Sequence, residues 1–151
     1  MSREFLLNII FLVVINLLIK PFYIFGIDRT VQNVVDDGDY GMYFTLFSFT
    51  YLFQIINDFG IQNFNNRNIS QSRQLIDKYF PNILLLKSLM AVVFMLVIFI
   101  VVHLSGFHLV WNMTLLYIIA FNWVLTSFLF YLRSNVSGLG MYRIDSILSA
   151  L

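Results

Sequence analysis

Charge is what this sequence has least of. Asp, Glu, Lys and Arg make up 11% of its residues, and none occurs between Ser88 and Leu132. A soluble globular domain carries about 25% charged residues, so the surface of a water-soluble protein cannot be built from this supply. Cysteine is missing altogether, which excludes disulfides, thiolate metal sites and a cysteine nucleophile. The only histidines are His103 and His108, too few for a His-based metal cluster. A net charge of +1 without any run of Lys or Arg leaves no basic stripe to track a phosphate backbone, so nucleic acid is not expected as a partner. There is no P-loop, no H-E-x-x-H and no G-x-S-x-G. ATPase and hydrolase chemistry therefore have no motif to rest on, and no catalytic residue, metal or cofactor is expected.

What is abundant is apolar. Hydrophobic residues reach 60% and the mean hydropathy is +0.82. A soluble chain of this size would still expose about a third of its unfolded-state surface, so the surplus Phe, Leu and Ile must face lipid. A spanning helix needs about 20 mainly apolar residues to cross roughly 30 Å of hydrocarbon. Residues 5–27, 40–60, 80–104 and 109–132 supply that length, and apolar residues resume from about 141. The expectation is an all-α, polytopic transmembrane bundle of four spanning helices and the start of a fifth. Lys and Arg set its orientation: with the N-terminus cytoplasmic, the inner segments hold Arg3, Arg67, Arg73, Lys78, Arg133 and Arg143, and the outer loops hold only Arg29. Residues 61–79, rich in Asn, Gln and Arg, read as an amphipathic or irregular cytoplasmic link. Lys20-Pro21 stands where a signal peptide would need a small-residue cleavage site, so the first segment is expected to remain as a helix.

A charge at bilayer depth is costly unless it faces protein or water, and polar residues inside the spans are therefore candidates for function. In the first, Asn16 and Tyr23 fall within about 60° of Lys20 on a helical wheel. Lys20 lies roughly 23 Å along that helix, and Pro21 beside it frees the carbonyl of Leu17. Two readings stay open: a cation in a central cavity that holds an anionic substrate, or a side chain that snorkels to the outer headgroups. In the second span Thr50, Gln54, Asn57 and Asp58 share an arc of about 100°, opposite a greasy side of Phe residues. The fourth repeats this with Asn122, Thr126 and Arg133. The third, apart from Lys87 and Ser88, has no polar side and is expected to face lipid, with Lys87 snorkelling to the nearer surface. Taken singly, any one of these amides and hydroxyls is better explained as interhelical glue, worth about 0.6 kcal/mol. Trp111, Tyr117 and Tyr131 read as interfacial anchors.

Other patterns are set aside. Asp37-Gly38-Asp39 has the D-x-D spacing of metal-dependent glycosyltransferases, but it stands before a helix whose N-terminus favours acids electrostatically. Asn68-Ile69-Ser70, Asn112-Met113-Thr114 and Asn135-Val136-Ser137 match a glycosylation sequon by accident, two of them on the inner side.

The order of features nevertheless resembles a known family. Asn16-Leu17-Leu18-Ile19-Lys20-Pro21, Asp39-Tyr40-Gly41-Met42-Tyr43, Asn57-Asp58-Phe59-Gly60-Ile61, Asn66-Arg67-Asn68-Ile69-Ser70 and Gly140-Met141-Tyr142-Arg143-Ile144-Asp145-Ser146 follow one another as in the N-terminal part of bacterial polysaccharide exporters of the oligosaccharide flippase type. These share a superfamily with the multidrug and toxin extruders, built as two six-helix lobes. The resemblance implies an N-terminal lobe fragment, residues 1–151, whose partners are the lipid bilayer and the remainder of a transporter beyond Leu151. It further implies flipping, by alternating access, of a polyprenyl-diphosphate-linked oligosaccharide (an O-antigen or capsular or exopolysaccharide repeat unit) across the bacterial cytoplasmic membrane, with no bond made or broken. Lys20 would then meet the diphosphate, and Asn16, Tyr23, Gln54, Asn57 and Asn122 would form the substrate path. Asp58 with Arg67 or Arg133 would form an inner gate or couple an ion. The alternatives are a membrane-embedded enzyme of polysaccharide assembly, or a truncated, non-functional or assembly subunit.

Overall fold

The computed structural model describes residues 3–148. The side chains of Arg3 and Arg143, two of the expected inner cations, lie outside the described ones. Helix α1 (Arg3–Phe22) passes through Pro21 without stopping and widens into a π-helical segment, Tyr23–Asp28, before α2 (Arg29–Val34). After a bend come α3 (Asp37–Leu52), the short α4 (Ile55–Asp58) and α5 (Ile61–Gln71). The 3-10 turn Arg73–Leu75 leads into α6 (Ile76–Leu104), a second at Phe107–Leu109 precedes α7 (Met113–Gly138), and α8 (Tyr142–Leu148) follows. Among the described residues there is no strand, so the all-helical class is what the chain adopts.

Among the described residues two helices, α6 and α7, are long and apolar enough to cross a bilayer. The second expected crossing is divided at Phe53–Gln54, where α3 ends, whereas the first runs on without a break from α1 through the π-helical segment into α2.

Local chemistry explains the element ends. Asp36 caps α3, its carboxylate accepting from the Gly38 amide at 3.4 Å, and Asp37 and Asp39 sit in the first turn. The D-x-D pattern thus lies where a helix N-terminus favours negative charge. Asn112 caps α7 by accepting from the Leu115 amide at 3.2 Å, which gives that sequon match a structural use. Gly106, at φ 72°, makes the sharp turn between α6 and α7 that a side chain would resist.

The core lies between α3, α6 and α7. Leu46 meets Phe94, Ile98 and Val102 of α6 and Leu116, Ile119, Ala120 and Val124 of α7. One face of α6, from Ile83 through Lys87, Phe94 and Ile98 to Val102, is buried, whereas Leu85, Leu89, Val92, Leu96 and Ile100 are exposed. An apolar face left uncovered on such a helix suits lipid. The polar link proves amphipathic and helical: Ile61, Asn65 and Ile69, spaced at i+4, are the buried face of α5, which packs on α7. That approach is close. A Cβ on Gly138 would stand 2.9 Å from Cβ of Ile69.

Two expectations from the sequence are corrected here. Lys87 does not snorkel; it is 1% exposed on the inner face of α6. Tyr131 is no interfacial anchor either, being fully buried and donating from its hydroxyl to the Phe80 carbonyl at 3.0 Å. A Tyr inside a bundle needs a partner for its O–H, and a carbonyl near the Pro81-bearing start of α6 supplies one.

Candidate functional site

The site begins with a flaw in a helix. From Phe53 to Asn57 the amides donate to carbonyls three residues back: Phe53 to Thr50, Gln54 to Tyr51, Ile56 to Phe53 and Asn57 to Gln54, at 2.9–3.2 Å. Such 3-10 winding inside an otherwise α-helical rod marks a hinge or a functional irregularity. Two residues later the backbone turns left-handed at Phe59 (φ 42°) and Gly60 (φ 76°). The second is cheap for glycine, and the first is an uncommon conformation for a bulky residue. The reversal leaves the carbonyl of Asn57 with no amide ahead of it along the helix.

Side chains from two other helices fill that gap. Nζ of Lys87, from α6, donates to the Asn57 carbonyl at 3.0 Å and to Oδ1 of Asp58 at 2.8 Å. It also lies 2.7 Å from Oγ and 3.4 Å from the carbonyl of Ser127, on α7. The Ser127 hydroxyl donates to the same Asn57 carbonyl at 2.9 Å. One ammonium thus ties α4, α6 and α7 together. The ion pair is asymmetric: the Lys87 side chain is 1% exposed and that of Asp58 36%.

Asp58 and Ser127 form part of the wall of an open groove of about 510 Å³, with Gln54, Gln62, Tyr51 and Phe130 around them. The lining combines a carboxylate, amides, hydroxyls and aromatic rings. Asn57 lies behind it, 2% exposed, its Nδ2 without a partner. Next along α7, Asn65 of α5 donates to Ser134 Oγ at 2.8 Å and Asn135 Oδ1 at 3.0 Å. Higher in the bundle Trp123 donates from its indole N–H to Thr50 Oγ1 at 3.1 Å.

Of the residues singled out in the sequence, Gln54, Asn57 and Asp58 are brought together here. Asn122 is exposed on α7, its carbonyl accepting from Thr126, and Arg67 is exposed on α5. Arg133 bonds Asp145 through Nε at 3.0 Å and lies 5.9 Å over the ring of Phe130. The carboxylate paired with Arg133 is therefore Asp145, and the cation paired with Asp58 is Lys87. Asn16, half-buried, and Lys20 and Tyr23, both exposed, sit on α1 and its π-helical extension, which pack against α8 and α2. None of the three lines the groove.

The sequence reading missed Lys87, Ser127 and Tyr131 as partners. A signal existed for Lys87: it follows Ile83 by four residues and precedes Phe94 by seven, one helical face. On a helix apolar all round, however, hydropathy cannot tell the protein-facing side from the lipid-facing one.

No curated protein and no solved structure matches this chain. The family described as polysaccharide biosynthesis protein matches residues 5–150, nearly the whole sequence and every element of the groove, and the chain belongs to that family.

Proposed function

We propose that this chain forms the N-terminal, membrane-spanning part of a flippase that moves a polyprenyl-diphosphate-linked oligosaccharide from the inner to the outer leaflet of the bacterial cytoplasmic membrane. Its N-terminus is cytoplasmic, and four helical passes belong to a larger two-lobed transporter. The observation that carries the reading is the groove, where Gln54, Asp58, Gln62 and Ser127 stand among apolar and aromatic side chains in a bundle whose outer face is apolar. Lys87, behind it, lies about 16 Å along α6 from Ile76 at 1.5 Å per residue. Irregular backbone and ionisable groups at such depth are tolerated where they line a wet cavity. Amides and a carboxylate meet sugar hydroxyls by hydrogen bonding, and Tyr51 and Phe130 offer ring faces beside them. Gln54, Asn57 and Asn122 are assigned to the sugar path, Lys20 with Asn16 and Tyr23 to the diphosphate, and Asp58, Arg67 and Arg133 to opening and closing the inner side. Transport by this device breaks no covalent bond.

The test is flipping of a fluorescent polyprenyl-diphosphate oligosaccharide in proteoliposomes that contain the protein expressed from its full reading frame. Gln54→Leu is expected to cut the flipping rate at least tenfold while insertion and stability are kept. Undiminished flipping by Gln54→Leu would remove the groove from the substrate path, and release of a sugar without flipping would favour an enzyme of polysaccharide assembly.

A further inference from the structure

Four oxygens surround the Lys87 ammonium: the Asn57 carbonyl, Asp58 Oδ1, Ser127 Oγ and the Ser127 carbonyl, at 2.7–3.4 Å. They comprise one carboxylate, one hydroxyl and two backbone carbonyls, one of which is set free where a helix gives way to left-handed backbone. This is the donor set with which interrupted membrane helices hold a monovalent cation, since unwound carbonyls and helix C-terminal ends turn their negative side inward. The formal charge agrees: Asp58 supplies one negative charge, and one positive charge neutralises it. Hard cations take oxygen ligands, and oxygen is all the cage offers.

We propose that the break at Asn57–Gly60 is a monovalent-cation site whose occupant is the chain's own lysine, a tethered ion in the place of a free one. The inference goes beyond the transport reading and does not depend on the substrate. Its consequence is that the protein's fold requires no dissolved alkali cation at this position. Removing the ammonium, however, uncovers a competent site. Access is already provided, because Asp58 and Ser127 both line the groove, while Lys87 is buried and does not. An ion arriving through the groove reaches the cage without passing the core. Potassium and ammonium ions are close in size to a lysine head group and are the expected occupants.

The test is thermal unfolding of the full-length protein in detergent micelles, with potassium, ammonium or choline chloride at equal ionic strength. Lys87→Met keeps the apolar stem and deletes the charge. A cation that binds only the folded state raises the midpoint in proportion to the logarithm of its concentration above Kd. A rise of several degrees that grows with the logarithm of cation concentration is expected for Lys87→Met in potassium or ammonium and not in choline. The wild-type protein is expected to show the same midpoint in all three salts, and Lys87→Met combined with Asp58→Asn to lose the response. Equal midpoints of Lys87→Met in potassium, ammonium and choline would overturn the proposal, and so would a response that survives Asp58→Asn. If Lys87→Met does not fold in choline, recovery on adding potassium supports the site. For Lys87→Ala, propylammonium supplies both the head group and the missing stem, and failure of every cation to restore folding of both variants overturns it.

Discussion

Polar residues occur in two settings in this protein. Around α4, α6 and α7 they are enclosed: Lys87, Asn57 and Ser127 are buried and bonded to one another, and of that group Asp58 and Ser127 line the groove, Asp58 being the more exposed. On α1 and its π-helical extension Lys20 and Tyr23 are exposed. The same kinds of side chain hold helices together in one region and leave a surface polar in the other. Burial, not residue type, decides which substitutions act on the fold and which act only on what the surface touches.

The sharpest way to break this contrast is to unbalance the buried pair from each side. Asp58→Asn strands an ammonium that is 1% exposed, and breaking a buried ion pair by removing one partner costs about 3–5 kcal/mol. Lys87→Met leaves a carboxylate that already meets the groove, and hydration through the groove lowers the cost. The expected order, read from unfolding midpoints in choline, is Asp58→Asn well below Lys87→Met, with the double variant recovering part of the loss as a coupled pair should. Equal effects of the two single changes would show that Asp58 is as enclosed as Lys87 and that the groove does not reach it.

A smaller effect is expected where packing rather than charge does the holding. Gly138→Ala would place a methyl 2.9 Å from Ile69 Cβ and 3.3 Å from the Asn66 carbonyl, and overpacking of this kind costs about 1–3 kcal/mol. If Gly138→Ala is neutral, α5 can move off α7 and the Asn65 bonds do not fix it there.

How far the sequence foretold this division differs from element to element. Runs of bilayer length led to the all-helical class, and the 80–104 stretch lies wholly within α6, which starts earlier, at Ile76. Gln54, Asn57 and Asp58 were legible as a group because helical periodicity places them on one arc, and a winding change near Phe53 does not disperse them. Lys87 was not, since Leu, Met and Phe precede and follow it on every side of α6, and only the position of α4 reveals which side is inward. Tyr131 misled for a related reason: nearness to a helix end suggests an interface, but α5 folds back over that end of α7 and covers it. Partner choice was invisible as well. Arg133 lies twelve positions before Asp145 and is joined to it by the turn at Gly140, a contact that no helical wheel contains.

Weaker still is the bond at the upper end of the core. Thr50→Val preserves shape but removes the acceptor of the Trp123 indole N–H, leaving a partly enclosed donor unmet. A net loss of about 1 kcal/mol is expected, visible as a small fall in the unfolding midpoint and as a shift in tryptophan emission. An unchanged midpoint would place water at the indole and make that face of α7 wetter than its neighbours suggest.

The smallest effect on stability is expected for the side chain that the sequence made most conspicuous. Lys20→Met removes an exposed charge, and surface substitutions away from packed or bonded features stay within about 0.5 kcal/mol. Its unfolding midpoint should therefore match that of the wild type. Flipping is a separate measurement on the same sample, and there a large loss is expected if the ammonium meets a diphosphate. Lys20→Arg should then restore transport in part, because a guanidinium keeps the charge but presents it as a flat fork in place of a compact point. Loss of transport at constant stability would assign Lys20 to the substrate. Full transport at constant stability would leave it a headgroup contact. Loss of stability would show that α1 is held by its charge, and the contrast between the two polar regions would disappear.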